Sequence, residues 1–219
     1  MSSYIVIIAD LVGSKDLTHS ERSTCQVILE NRLDQINEGA EYIISPATIT
    51  LGDEFQAVYS KFRGLLTDCW TISRDLHPLK VRFSIGLGEI YTPINKEQTL
   101  GMDGPAFHVA REGIDQLKES GRLYTLKLAD EPEPEMEKIN RVNLANYTLR
   151  LLSGEMQKWR KTRLNILLKL IKNLPVKQIA GDLEISESAV YKNIHEGDLT
   201  LVMDLKESIE NNMNPILEK

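Results

Sequence analysis

The sequence predicts an α+β domain followed by an all-α one, and three observations carry that reading. The chain opens with a short, continuously apolar, β-branched run, Tyr4–Ala9 (YIVIIA), the pattern of a buried strand. Strand-like and helix-like segments then alternate as far as Leu128. Beyond an acidic, proline-bearing stretch at Asp130–Glu137 the periodicity is helical throughout.

The elements follow in order. Gly13 and Ser14 break the first strand, and residues 20–36 form a helix with Cys25, Leu29, Leu33 and Ile36 spaced along one face. Residues 42–51 and 55–59 read as two strands joined at Gly52-Asp53-Glu54, hence a hairpin. A second amphipathic helix is predicted over 62–76, a strand over 81–87, a third helix over 105–119 and a last strand over 123–128. The order βαββαβ, then αβ, predicts a mainly antiparallel sheet with helices on one face, a ferredoxin-like layer. The connection Tyr91–Met102 is long enough to be a lid or an edge over a site.

Composition bounds the rest. With 219 residues, 42% of them hydrophobic, the chain can bury a core. No apolar run approaches the roughly 18–20 residues of a membrane helix, and Met1-Ser2-Ser3 carries no basic leader. A cytoplasmic protein without a membrane partner is expected. Cys25 and Cys69 lie far apart on apolar faces and read as small buried hydrophobes. The net charge of −6 is uneven: Lys158, Arg160, Lys161, Arg163, Lys169, Lys172 and Lys177 fall in a stretch with no acid, and this basic block is what could face phosphates. The expected division is an α/β domain over 1–130, an acidic linker and connecting helix over 131–158, and a helical domain over 159–219.

Candidate chemistry in the first domain lies at the end of the first strand, Asp10-Leu11-Val12-Gly13-Ser14, and at the hairpin tip, Gly52-Asp53-Glu54. A carboxylate at the end of a buried strand needs a partner, and a second one nearby would repel it. A divalent cation resolves both, and oxygen ligands suit Mg²⁺ or Mn²⁺ with substrate phosphates completing the shell. Gly13, Ser14 and Gly52 offer backbone N–H groups to phosphate, and Lys15 is a further phosphate contact. Other readings stay open: Gly-Asp is ordinary turn chemistry, and an Asp after a strand often caps the next helix. Glu54 either faces solvent or assists the metal. Arg111, one turn or more into a helix that starts at Pro105, either adds charge to a triphosphate or pairs at the surface with Glu112 or Asp115. His108 reads as a packing or surface residue.

The helical part contains QIAGDLEISESAVYKNI, which fits the helix-turn-helix template. A basic amphipathic helix is predicted over 156–172, a short one over 176–183, a turn at Glu184-Ile185-Ser186 and a recognition helix over 187–195. Ser186 is placed to cap the last, while Glu184 stands where the turn usually has Gly for positive φ. Ser188, Tyr191, Lys192 and His195 face outward for base contacts, with Lys177 and the basic helix on the backbone. DNA is the expected partner. Single units of this kind rarely suffice, so a homodimer is expected, and the helix over 139–152 either joins the domains or forms the dimer seam.

The first strand with its Asp10, the hairpin LGDEFQAVY, the strand RFSIGLGEI and the helix opening GPAFHVAREG together resemble the class III nucleotidyl cyclase core. LGDEF is also similar to the diguanylate cyclase signature, with Leu51 replacing a Gly. The set ADLVGS, GDEFQ, IGLGEI and DGPAFHVAR, with a terminal helix-turn-helix, resembles the SatD family over nearly the whole chain. The cyclase resemblance implies a cyclase-like fold in which Asp10 and Asp53, with the carbonyl of Leu11, hold two metal ions. The departures are His108 and Glu112 at positions where cyclases carry Asn and Arg, with Arg111 one residue away, and Ile49 where a Lys reads the base. These imply binding of a nucleoside triphosphate and metal rather than cyclisation. The expected function is thus a DNA-binding regulator that senses a nucleotide. The alternative is a two-metal nucleotidyl cyclase or nucleotidyltransferase that its helix-turn-helix localises or regulates.

Overall fold

The structure is a computed structural model that describes residues 3–39, 41–131 and 135–217. Residues 132–134 of the predicted acidic boundary, and Met1 and Ser2 of the expected leaderless start, lie outside the described residues.

Strand β1 (Tyr4–Leu11) is followed by helix α1 (His19–Gly39), the hairpin β2 (Ile43–Leu51) and β3 (Glu54–Tyr59), helix α2 (Leu65–Asp75), β4 (Val81–Gly88), α3 (Pro105–Ser120) and β5 (Tyr124–Leu128). The sheet order is β2-β3-β1-β4-β5. All neighbours are antiparallel except β4 and β5, which run parallel. Helix α1 begins at a reciprocal cap: Glu21 N donates to the Thr18 hydroxyl at 3.3 Å, and Thr18 N donates to the Glu21 carboxylate at 2.9 Å.

The expectation of helices on one face is corrected by the packing. Ile5, Ile7, Ala9 and Leu11 join Leu29 and Leu33 of α1 and Leu66 and Trp70 of α2 in one core. Val6 and Ile8 pack instead against Ala106, Phe107, Ala110 and Ile114 of α3, so α3 covers the other face. The reason lies in β1 itself. Its residues are apolar at both parities, and successive side chains point to opposite faces, so each face needs cover. Two glycines let α3 lie close. A Cβ on Gly86 would stand 2.2 Å from the Ala106 carbonyl, and one on Gly113 would stand 2.0 Å from the Ser84 hydroxyl. The loop before α3 is pinned to the same face: Gln56 donates to the Thr99 carbonyl at 2.8 Å, and the buried Thr99 hydroxyl donates to Gln56 O at 3.1 Å. Of the two expectations for Tyr91–Met102, a lid or an edge over a site, these contacts favour the edge.

The helical part comprises α4 (Met136–Met156), α5 (Lys161–Ile171), α6 (Val176–Asp182), α7 (Glu187–Glu196) and α8 (Leu199–Met213). The single helix expected over 156–172 is interrupted, because α4 ends at Met156 and α5 starts at Lys161. Trp159 lies within the interruption and is buried in the core at 6% exposure, between the exposed Lys158 and Arg160. The inner face of α4 (Val142, Ala145, Leu149, Leu152) belongs to the same apolar cluster as the sheet. Its outer face leaves Leu144, Tyr147 and Leu151 exposed. Cys69 is buried and Cys25 half-buried, both as free thiols.

Helix α8 reaches back to the start of α2. Asn214 Oδ1, just past α8, accepts from Phe62 N at 2.8 Å, and Glu210 Oε1 accepts from Gly64 N at 3.1 Å. Gly64 is the residue that caps α2, and Phe62 lies two residues before it. Lys206 holds Glu210 at 2.9 Å. Within α2, Asp68 accepts from the Tyr59 hydroxyl at 3.0 Å. Burial pushes the Asp68 carboxyl from the usual 3.8 up to about 6; the Tyr59 hydrogen bond opposes the rise and Glu210 adds to it.

A raised carboxyl pKa means that the folded state holds the proton more tightly than the unfolded one. The stability from protonated Asp68 is therefore complete below pH 3.8, declines as pH rises and is gone above about 6. Asp68→Asn should remove this component. Relative to the variant, the wild type should lose about 2 kcal/mol of unfolding free energy between pH 4 and pH 8. Urea unfolding at the two pH values measures it, and parallel behaviour of the two proteins would contradict it.

Candidate functional site

The end of β1 and the tip of the β2–β3 hairpin come together because β1 and β3 are paired. Asp10 stands opposite Glu54 on one side and opposite Arg82 of β4 on the other. All three side chains project to the face that α3 covers. Leu11 N donates to Asp53 O at 3.2 Å, which ties the hairpin tip to the strand end. Gly13 and Gly52 take the left-handed φ values 73° and 54° that their turns require, and Ser14 starts a 3-10 turn over Ser14–Asp16. The Ser14 hydroxyl, itself buried, donates to Asp53 Oδ2 in a short hydrogen bond. Lys15 is exposed beside it.

Each carboxylate meets a different environment. Asp10 is buried; its Oδ2 lies 3.3 Å from Arg82 Nη1 and 3.7 Å from Lys118 Nζ. Its Oδ1 is buried with no hydrogen-bond partner. Burial raises the Asp10 pKa, Arg82 and Lys118 partly offset this, and the nearby Asp53 charge adds to it. Glu54 is also buried. Burial by itself would raise its pKa, but Arg111 outweighs that and holds the carboxyl below its usual range. Arg111 makes the two-pronged contact, Nη1–Oε2 at 2.5 Å and Nη2–Oε1 at 2.7 Å, with the Thr50 hydroxyl donating to Oε1 at 3.0 Å. Of the readings left open above, Arg111 pairs with neither Glu112 nor Asp115 but reaches inward, and Glu54 does not face solvent. His108 is exposed and pairs with Asp103 at 2.7 Å, and Glu112 turns outward to Lys127 at 2.6 Å.

The structure thus brings together Asp10, Asp53, Glu54, Ser14, Gly13, Gly52 and Arg111. Three cations escaped the sequence reasoning. Arg82 occupies the register of β4 opposite Asp10, on the face that α3 covers. Lys118 lies seven residues after Arg111, two turns along the same helical face, and that spacing was the available signal. Arg22 donates to the Ser14 carbonyl at 2.9 Å and borders the turn. Among the described residues no group of three or more His, Cys, Asp and Glu forms a metal-ligating cluster. Any cation here would have two protein carboxylates, as Mg²⁺ bound with phosphates commonly does.

In the helical part, α6 and α7 meet at a tight turn. Ile185 N donates to Ala180 O at 3.0 Å, Glu184 takes φ 53°, and the Ser186 hydroxyl caps α7 by accepting from Ala189 N at 3.1 Å. Val190 faces inward at 0% exposure, while Ser188, Tyr191, Lys192 and His195 are exposed along one side of α7. The basic block is partly spent internally. Arg163 pairs with Glu196 at 3.0 Å, Lys169 with Asp182 at 2.6 Å and Lys158 with Glu155 at 2.8 Å. Lys192 lies 3.7 Å from Glu196. Arg160, Lys161, Lys172 and Lys177 are exposed and make no ion pair with a described residue.

Removing Arg111 strands the buried Glu54 carboxylate. Arg111→Ala should lower stability by about 2 kcal/mol at pH 7, at the low end for broken buried pairs because the arginine is partly exposed. Because the Glu54 pKa is lowered on folding, its contribution exists above the usual 4.5 and is lost as pH falls through the folded value. The gap between wild type and variant, measured by denaturant unfolding, should therefore narrow in acid. A gap independent of pH would refute the pairing.

Comparison with known proteins gives a family and a partial likeness of fold. No curated protein matches the chain. A bacterial light-regulated adenylyl cyclase is similar at 13% identity and a TM-score of 0.43, over 57% of this chain and 43% of its own. The guanylyl cyclase Cya2 is similar at 14% identity and a TM-score of 0.35, over 51% of this chain and 71% of its own. A regulator of polyketide synthase expression from Bifidobacterium adolescentis aligns at 12% identity and a TM-score of 0.26, over 100% of this chain and 82% of its own. This chain thus spans less than half the length of the light-regulated cyclase. The family model for SatD matches residues 4–213, and with them the β1 end, the hairpin tip, the glycine-bearing β4–α3 contact and the capped α6–α7 turn: the chain belongs to the SatD family.

Proposed function

We propose that this chain is a DNA-binding regulator whose first domain binds a nucleotide together with Mg²⁺ or Mn²⁺. The observation that carries the first half is the buried, partnerless Oδ1 of Asp10 beside Asp53. A buried carboxylate oxygen without a donor is costly, and a divalent cation shared with Asp53 would satisfy it. Asp10 and Asp53 would hold the metal, with the Leu11 carbonyl beside them. Gly13, Ser14, Lys15 and Gly52 would contact phosphate, and Arg111 would do so by exchanging Glu54 for it. The metal would neutralise phosphate charge and orient the chain of phosphates.

The strand order β2-β3-β1-β4, with α1 and α2 on one face, supports reading the first four strands as a ferredoxin-like layer of the cyclase type. Binding is favoured over turnover, since His108 and Glu112 point to Asp103 and Lys127 rather than into the site.

For the second half, the capped α6–α7 turn and the exposed Ser188, Tyr191, Lys192 and His195 support a helix-turn-helix over 159–219. Lys177, with Arg160, Lys161 and Lys172, supplies the backbone contacts. The exposed stripe Leu144, Tyr147 and Leu151 on α4 supports a homodimer, which would present two such units.

Thermal unfolding with a panel of nucleoside triphosphates tests the first half. With Mg²⁺ and ligand at a hundred times its dissociation constant, stability should rise by about 2.7 kcal/mol. Asp53→Asn should abolish the metal-dependent part, and absence of any nucleotide effect would sink the reading. For the second half, Lys177→Ala should weaken binding to duplex DNA about equally across sequences and reduce the salt slope by about 1. Absence of DNA binding by the wild type at low salt in a gel-shift assay would refute it.

A further inference from the structure

A second cavity lies away from the carboxylate site, along the open edge of β5 between α3 and α4. It has a volume of about 480 Å³, within the size range of small-ligand sites. Helix α4 is held to the strand edge at two points: Leu123 N donates to the Ser153 hydroxyl at 2.9 Å, and Leu126 N donates to Asn146 Oδ1 at 3.0 Å. These bonds set the two arginines that line the cavity at one end. Arg122 directly precedes Leu123, and Arg150 stands one turn before Ser153 on α4. Neither makes an ion pair or hydrogen bond with any described residue, although Arg150 is half-buried. Because Asn146 spends its oxygen on Leu126 N, its two amide hydrogens remain as donors at the same wall. The acids that also line the cavity, Asp130 and Glu131, follow β5, whereas Arg122 precedes it. Eight residues of extended chain, at roughly 3.3 Å each, separate Asp130 from Arg122. Glu131 is in any case bound to Lys138.

We propose that the Arg122–Arg150 end of this groove binds the phosphate of a small phosphomonoester. Both guanidinium groups line the cavity, Arg122 exposed and Arg150 half-buried, without a counterion among the described residues, and an anion between them would be stabilised by both charges. Planar forked donors match a phosphate in particular. Leu117, Val142 and Ile139 form the apolar wall for the body of the ligand, and Asn143 offers an amide to its hydroxyls. Occupation ties β5 to α4, and so links the sheet to the helical part.

The probe is inorganic phosphate, titrated into the full chain and followed by backbone and side-chain amide resonances. Saturable shifts should centre on Leu123–Thr125 and on the amides of Asn146 and Arg150. Arg150→Gln and Arg122→Gln should each weaken the affinity about tenfold or more, Arg150→Lys less so, and Asp53→Asn not at all. Shifts confined to Gly13–Lys15 and Gly52–Glu54, no saturable shift, or an affinity unchanged in Arg150→Gln with a native unfolding midpoint would each overturn the proposal. The Asp53→Asn control separates its failure from that of the nucleotide reading.

Discussion

The close approach of α3 to β4 is the constraint on which the site depends. Only hydrogen at Gly86 and Gly113 permits it, since a methyl group at either would collide with Ala106 O or with the Ser84 hydroxyl. That contact sets the height and the phase of α3. It thereby delivers Arg111 to Glu54 and Lys118 to Asp10, across a sheet whose buried carboxylates would otherwise have only Arg82 and a few hydroxyls. In water such ion pairs would be worth little. Here one partner of each is buried, so the pairs decide which protonation states the site can hold.

The three carboxylates are not equivalent, because each meets a different set of partners. Glu54 is fully neutralised by a bidentate arginine and is kept ionised. Asp53 leans on a serine hydroxyl at a hairpin tip. Asp10 is shared between two cations at longer distance and keeps one oxygen unsatisfied. Of the three, Asp10 has the most to gain from an added cation, and Glu54 the least. Arg111 and Lys118, by contrast, are partly exposed on their outer sides.

Much of the layer was legible in the sequence because its signals were local. The apolar run at β1, the hairpin at Gly52-Asp53 and the cap at Ser186 each rest on a few adjacent residues. Positive φ at Glu184 was readable for the same reason, as a turn template with the wrong residue in it. The Thr18–Glu21 cap carried an equally local signature, Thr-x-x-Glu. What sequence reasoning missed was relational. The run Ile5–Ala9 of β1, apolar at both parities, already implied cover on two faces, but only the glycine contacts say which helix supplies the second. The direction of Arg111 follows from the same contacts and from nothing in its own neighbourhood. Likewise the turn at Gln157–Arg160 comes from burying Trp159 against residues distant in sequence, so helical periodicity carried straight through it.

The bonds from Phe62 N to Asn214 and from Gly64 N to Glu210, just before α2, join residues 152 and 146 positions apart. Contacts of such separation require closure of nearly the whole chain before they contribute. Until α8 has been synthesised, a nascent chain leaves Phe62 N and Gly64 N without these acceptors. This link between the two parts of the chain therefore closes late. Loss of only the last two turns would be felt first at Phe62 and Gly64, 152 and 146 residues away in sequence.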